Sequence, residues 1–395
     1  MKQVIGILVN ILFTLSLSGQ SGNRSQVKNI NLTEAFSHPQ EVQLSRFVSK
    51  ISYIPLETNT ETLIPEAAKF EVTDEFIIVR TSDGGIRHIL LFNRNTGKFI
   101  REIGKQGRGP GEFLIYSTVP FNPVKKEIYA LSYSRELLVY DLSGRNIDKI
   151  KLPQWSDSGV QDGRLIDYPV HDMLDENIFV GHILNFSGQD KRKLVLLTKE
   201  EVLKIFPNYL TYNGRLGVRN YQFIAKFYKW NNNLYFIEGF CDTLYQVTKT
   251  LLIPRYFFDW GKYNASYSKQ NVIDMRDFFS VIDMDENNQY IFFRLLFKEN
   301  IHTGFIDKKD NTVTFCRIET SGISGLKDDI NSLMDVIPQS FTHNNEMVWI
   351  IQPVKLIDWL KENPEKAILA RNKLSWLKGI NEFSNPIVVI GKCLN

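Results

Sequence analysis

From Phe47 onward, apolar residues come in bursts of four to eight positions, each stopped by Gly, Asn, Asp or Pro. Bursts of that length with such boundaries read as β-strands joined by turns. The segment EFIIVRTSDGGIRHILLFNRNTGKFIREIG, from Glu75 to Gly104, predicts strands over 76–80, 88–92 and 99–103, with turns at Asp83-Gly84-Gly85 and Asn95-Thr96-Gly97. The stretch from Glu127 to Pro153 repeats the plan, with strands over 128–131, 137–140 and 146–152 and a turn at Ser143-Gly144. Looser units follow over 177–207, 233–261 and 289–318, and another opens at Glu346. The opening strands begin near Phe76, Ile128, Ile178, Leu234, Tyr290 and Met347, in steps of about 50 to 57 residues. Six multi-stranded units in a row, without intervening helices, predict radially arranged sheets. The expected fold is therefore all-β, a six-bladed β-propeller over residues 47–395.

One stretch breaks the rhythm. Residues 355–379 show helical spacing, with Leu356, Ile357, Trp359 and Leu360 on one face, then Ala367, Ile368, Ala370, Leu374 and Leu377 after Pro364. This predicts a helical insertion in the last blade. The closing NPIVVIGKCL, Asn385 to Leu394, reads as a strand. Pairing of that strand with N-terminal sequence would close the ring and remove its exposed edges.

Ahead of the strands, MKQVIGILVNILFTLSLSGQSG carries one lysine, an apolar run over 4–17 and small residues at Ser16, Ser18 and Gly19. That order predicts a secretory signal over residues 1–21, with cleavage near Ser18 or a few residues beyond. The run is short for a membrane span, and no cysteine lies near it, so a lipoprotein is not expected. Residues 22–46 are polar and mixed and read as a tether or loosely docked arm. The expected location is periplasmic or extracellular, with no membrane span once the signal is removed.

Composition narrows the classes. Apolar residues at 43% with 23% charged exclude wholesale disorder. The 12% aromatic content suits strands and the space between stacked sheets. With 47 Lys and Arg against 44 Asp and Glu, the net charge of +3 gives no reason to expect a nucleic-acid partner. A monomer is expected. Three widely spaced cysteines, Cys241, Cys316 and Cys393, form neither a disulfide framework nor a metal cluster and read as small buried side chains.

GKQGRGPGEF, Gly104 to Phe113, invites comparison with a phosphate-binding loop. Such a loop must open a helix, because the helix N-terminus and its N–H groups hold the anion. Here LIYSTVPFNPVKKEIYAL follows, with two prolines and then a strand. A crossover between blades explains the glycines better, with Phe113 sealing it, although Lys105 and Arg108 remain candidate ligand contacts.

The stretches YIPLETNTETLI (Tyr53–Ile64), LLFNRNTGKFIREIGKQGRGPGEF (Leu90–Phe113), DTLYQV with FDWGKY, and NPIVVIGKCL resemble the secreted six-bladed β-propeller proteins abundant in Bacteroides-type bacteria. The second stretch is also similar to the NHL repeat. The resemblance implies the fold over nearly the whole mature chain and almost nothing about activity. That family often carries an Asp-Asp-Ile-Asp-Gly-Gly-like stretch late in the chain; here Asp328-Asp329-Ile330 is followed by Asn331-Ser332-Leu333, without the glycines.

Six scattered histidines show no metal-ligand spacing, and no G-x-S-x-G nucleophile elbow is present. His171-Asp172, near Asp167, Asp175 and Glu176, is the most suggestive cluster; it reads as a solvated loop, the alternative being an acidic loop near the central channel that holds a cation. DMDENNQYIFFR fails as a calcium loop, because Asn288 and Arg294 stand where glycine and glutamate are needed, and reads as a polar turn before a strand. Asp328 and Asp329 read as a turn. The runs YFFDW (Tyr256–Trp260) and NYQFIAKFYKW (Asn220–Trp230) read as filling between blades, with Tyr221 a candidate contact. The expected function is non-catalytic binding of a glycan, peptide or partner protein by loops of one face, including 104–113, 156–176 and 212–222. The alternative is a metal-dependent hydrolase or lyase with a cation such as calcium in the central channel; otherwise no cofactor or metal is expected.

Overall fold

The computed structural model describes residues 27–394 except 61, 84, 116–119, 133–135, 154–169, 184–189, 211–224, 265–274 and 319–323. Its strands form six separate sheets. The first blade runs Lys69–Val72, Phe76–Asp83, Ile86–Asn93 and Phe99–Glu102, each strand antiparallel to the one before. The inner strands of the next four blades are Phe113–Ile115 with Phe121–Asn122, then Val170–Met173, Ala225–Trp230 and Ser280–Glu286. The sixth blade is made of Ser340–Thr342, Glu346–Ile351, Ile387–Cys393 and, outermost, Val48–Pro55.

That last pairing closes the ring. Val48–Pro55 lies antiparallel to Ile387–Cys393, from Val48 opposite Cys393 to Pro55 opposite Ile387. Both edges that an open array would expose are thereby satisfied. Packing gives the same result. Among the described residues, six apolar clusters each fill one junction between consecutive blades. The one joining the sixth blade to the first contains Ile54, Leu56, Ile77, Phe92, Val348 and Val388, all at most 5% exposed. Alternating side chains of the second and third strands enter the two junctions on either side of their blade, while outer strands such as Asn146–Lys151 stay mostly exposed.

Residues 28–46 are docked along their length. Lys28–Asn31 adds to the outer edge of the fourth blade, parallel to Leu252–Asp259. Gln40 and Gln43 then bridge to Cys316 and Lys327. Ile30, Leu32, Val42 and Leu44 are buried. The polar appearance of this arm has a simple cause. It binds as an edge, so single apolar residues turn inward between exposed neighbours and no run of alternation develops. Phe36 packs edge-on against Phe279, Phe297 and Phe315 with centroids 4.8–5.5 Å away.

The helical insertion consists of Pro353–Glu362 and Pro364–Lys373, each with proline in its first turn, followed by a short 3-10 turn, Ser375–Gly379. Leu356, Leu360, Ala367, Ala370 and Leu377 join the cluster between the fifth and sixth blades. Ile368 does not; it is 61% exposed. Cys241, Cys316 and Cys393 are buried and form no disulfide with one another. Among the described residues, no helix is long and apolar enough to cross a membrane.

The two ends of the axis differ. Because strands alternate in direction, the tight turns after the inner strands, including 73–75, 174–177 and 343–345, gather at one end. The connections between blades and the helical insertion leave from the other end.

Candidate functional site

The six inner strands enclose an axial channel. A cavity of about 490 Å³ is lined by Lys69, Phe121, His171, Phe227, Asp285 and Phe341, one residue from each blade in turn. It continues into a wider space of about 1050 Å³ at the mouth bearing the tight turns, sharing Phe121, Lys229, Thr342 and His343 with it. Inner strands differ from the others because one edge faces water. Most of them mix polar with apolar residues, whereas the second and third strands of each blade are largely apolar.

Most charges on the channel wall are paired. Arg80 binds Glu71, Lys229 lies 2.8 Å from Asp172, and Arg294 Nε donates to Asp283 at 2.8 Å. Asp285 bridges two blades. Its carboxyl accepts the N–H of Phe341 in the sixth blade and of Glu286 in its own strand, each at 2.8 Å. Burial pushes this carboxyl up to about 8. The two N–H donors pull it back, and the charges of Glu286 and Asp283 add to the rise. At neutral pH it is therefore a neutral acid.

The folded protein keeps a proton on Asp285 that the unfolded chain releases above about pH 4. The stability this group contributes is full below that pH and is lost as pH rises through about 8. The variant Asp285→Asn is expected to remove this fall. Urea midpoints of variant and wild type should diverge in the variant's favour between about pH 5 and 9. Curves that stay parallel across that range would contradict the assignment.

His171 sits on the channel wall, not in a solvated loop, because Val170–Met173 is the inner strand of the third blade. Its ring stacks on Phe227 at 5.6 Å and meets His182 edge-on at 5.6 Å. Burial holds it well below the ordinary histidine range, and His182, Lys69 and Lys226 lower it further. Its Nε2 is buried without a hydrogen-bond partner. Lys69 lines the cavity, whereas Lys226 lies in the neighbouring stretch of inner strand and feels the opposite charge of Asp283. Burial lowers Lys69, with Arg80 adding. Burial lowers Lys226 too, followed by the charge of Lys69, while Asp283 pulls it back up and Arg294 lowers it further.

Of the residues picked out by sequence, His171 and Asp172 are brought together on the channel, whereas Lys105 and Arg108 are exposed on the connection between the first two blades. Tyr221 lies outside the described residues, as do Asp167 and most of the loops 156–176 and 212–222. The glycine-rich connection encloses its own anion. Glu112 folds back so that its Oε2 accepts the Gly109 N–H at 2.8 Å, and a Cβ on Gly107 would lie 1.9 Å from that oxygen. The Tyr140 hydroxyl donates to the Gly111 carbonyl at 2.8 Å, and buried Phe113 closes the loop onto Lys105. A second departure from the sequence reading concerns Asp283–Glu286, which ends the inner strand Ser280–Glu286; the turn begins at Asn287. Asp328 does close a turn, accepting the N–H groups of Ile330 and Asn331. Tyr256, Phe258 and Trp260 fill the junction between the fourth and fifth blades, while Phe227 reaches the channel.

Among the described residues, no three His, Cys, Asp or Glu side chains come together as metal ligands. Of the carboxylates on the channel wall, Glu71, Asp172 and Asp283 are held by Arg80, Lys229 and Arg294.

Two solved structures resemble the chain in fold. A protein of Bacteroides fragilis NCTC 9343, whose name supposes that it is exported, aligns with a TM-score of 0.65 at 16% identity, covering 94% of this chain and all of the other. A member of the DUF4221 family from Bacteroides vulgatus ATCC 8482 aligns with a TM-score of 0.53 at 10% identity, covering 88% of this chain and 97% of the other. No curated protein matches the sequence. A family described as a domain of unknown function, DUF4934, matches residues 27–392, and the chain belongs to that family.

Proposed function

We propose that the protein is an exported, non-catalytic binding protein that takes a glycan, a peptide or a segment of a partner protein at its axial channel. One observation carries this reading: all six blades turn polar or aromatic side chains onto an open axial cavity of about 490 Å³. A ring stabilised only for its own sake would fill that space with apolar side chains. A concave site with a few convergent polar groups is the usual form of a ligand pocket. The leader-like N-terminus and the name of the Bacteroides fragilis neighbour support export.

Ala67 is exposed on the cavity rim, in the connection entering the first blade. Glycan and peptide arrays probed with the mature protein should yield a ligand whose affinity falls at least tenfold in Ala67→Trp, which obstructs the rim without touching the core. A ligand bound equally by both proteins would place recognition elsewhere and overturn the channel reading.

A further inference from the structure

The mouth that bears the tight turns opens into the space of about 1050 Å³. Its charged lining residues, with the exception of Glu176, are already ion-paired. Lys249 lies 3.1 Å from Asp175, Lys229 lies 2.8 Å from Asp172, and His343 Nε2 lies 3.1 Å from Asp74. Glu286 is taken up by Arg255 and Lys308. What remains free is a set of side-chain amides. Asn231 and Asn232 form the tip of the fourth blade's turn, Asn288 lies in the turn of the fifth, and Asn345 in that of the sixth. These three turns are knit together. Lys308 Nζ donates to the Asn287 carbonyl and lies 3.6 Å over Trp230, and the Asn288 nitrogen lies 3.5 Å from Asn345 Oδ1. Asn231, Asn232 and Asn288 are exposed, and their side chains make no hydrogen bond among the described residues. Turn geometry accounts for these asparagines only in part. Asn231, Asn232 and Asn345 have φ of 50°, 59° and 59°, a region that admits asparagine but suits glycine better. Asn288 is under no such demand.

We propose that this mouth binds a neutral glycan through the amides of Asn231, Asn232, Asn288 and Asn345. A carboxamide offers two donors and an acceptor with two lone pairs. A sugar hydroxyl is both donor and acceptor, so adjacent hydroxyls on one ring engage both ends of an amide. Among the described lining residues no cation is unpaired, and Glu176 disfavours an anionic ligand. Val124, 71% exposed, and Trp230 supply apolar surface for the C–H faces of the rings. The mouth shares Phe121, Lys229, Thr342 and His343 with the axial cavity, so an oligosaccharide held at the turns runs on into it. The inference rests on the binding reading above and selects one of its ligand classes.

The mature protein is probed with an array of neutral oligosaccharides of glucose, mannose and galactose, beside sialylated glycans, sulfated glycans and peptides. A neutral oligosaccharide should bind, and its Kd should change by less than about twofold between about 0.05 and about 0.5 M NaCl, since no ion pair forms. Calorimetric titration with that oligosaccharide should give a Kd weaker by about tenfold or more in the double variant Asn232→Gly, Asn288→Ala. The double variant should melt within about 2 °C of wild type, because glycine fits the turn and Asn288 is exposed. Binding confined to sialylated glycans, sulfated glycans or peptides, or an equal Kd in wild type and double variant, would overturn the proposal. So would an oligosaccharide that is blocked by Ala67→Trp but indifferent to the double variant, a result that would leave the channel reading standing. An oligosaccharide weakened by the double variant but bound equally by Ala67→Trp would do the reverse, placing the glycan at the mouth alone.

Discussion

Replacing Glu286 with alanine is expected to lower stability by about 3–5 kcal/mol, the usual consequence of removing one partner from a buried ionic group. Glu286 is fully buried and accepts the Tyr228 hydroxyl at 3.0 Å while ion-pairing with Arg255 and Lys308. Those cations are further confined by rings. The Arg255 guanidinium lies 4.6 Å from the Tyr235 centroid, and Lys308 Nζ lies 3.6 Å over Trp230. Burial lowers Lys308 to about 8 even with Glu286 in place. Without the carboxylate, two cations would face each other between the fourth and fifth blades. Glu286→Gln keeps the volume and should account for most of the loss. Replacing Glu286, Arg255 and Lys308 together by methionine should recover most of it, since no charge is then left unpaired. Urea unfolding of the three variants measures each quantity. A loss below about 1 kcal/mol in Glu286→Ala would show that water reaches the group after all.

Gly97→Ala should cost about 2–5 kcal/mol, adding left-handed backbone strain to overpacking. Gly97 has φ +67°, and a Cβ there would lie 2.1 Å from the Pro55 carbonyl oxygen. The position is the seam of the ring. Gly97 closes the outer turn of the first blade, and its carbonyl accepts the N–H of Glu57, just beyond the outermost strand of the sixth blade, at 2.8 Å. The Glu57 carboxylate returns the contact by accepting the N–H of Phe99 at 3.0 Å. Gly85→Ala isolates the backbone contribution, because Gly85 has φ +89° but a methyl group there would meet nothing within 4 Å. Thermal unfolding should place Gly97→Ala well below Gly85→Ala. Equal melting temperatures would mean that the first and sixth blades do not meet as described.

Much of this architecture was legible in the sequence. The second and third strands of each blade, such as Phe76–Asp83 and Ile86–Asn93, are buried on both faces and stand out as apolar bursts between turns. The helical insertion announced itself through Leu356 and Leu360 at four-residue spacing and through Pro364. The inner strands were the hard part. Lys69–Val72 and Val170–Met173 are short and polar because they border the channel, so they resemble turns. The residues that matter most for the site lie on these strands. His171 and Asp172 were visible as an unusual pair, but Lys69, Lys226 and Asp285 were not. Their meaning comes from convergence of blades that are distant in sequence. A partial signal was nevertheless present: in the first, third and fourth blades the apolar burst is preceded, across a short turn, by a segment mixing one or two charges with an aromatic or β-branched residue, Lys69–Val72, Val170–Met173 and Ala225–Trp230. The glycine-rich connection was readable in kind, yet the role of Glu112 as its internal anion emerges only in the folded chain.

The closed ring is the basis of the channel and of everything assigned to it, and amide hydrogen exchange tests it most directly. Residues 48–55 precede the first blade in sequence but pair with Ile387–Cys393 at the far end of the chain. Peptides covering 48–55, 346–351 and 387–393 are therefore expected to exchange together, at the slow rate set by global opening. Exchange of 48–55 as fast as the exposed turn 94–96, with the other two still protected, would show a free terminal strand and an open sixth blade.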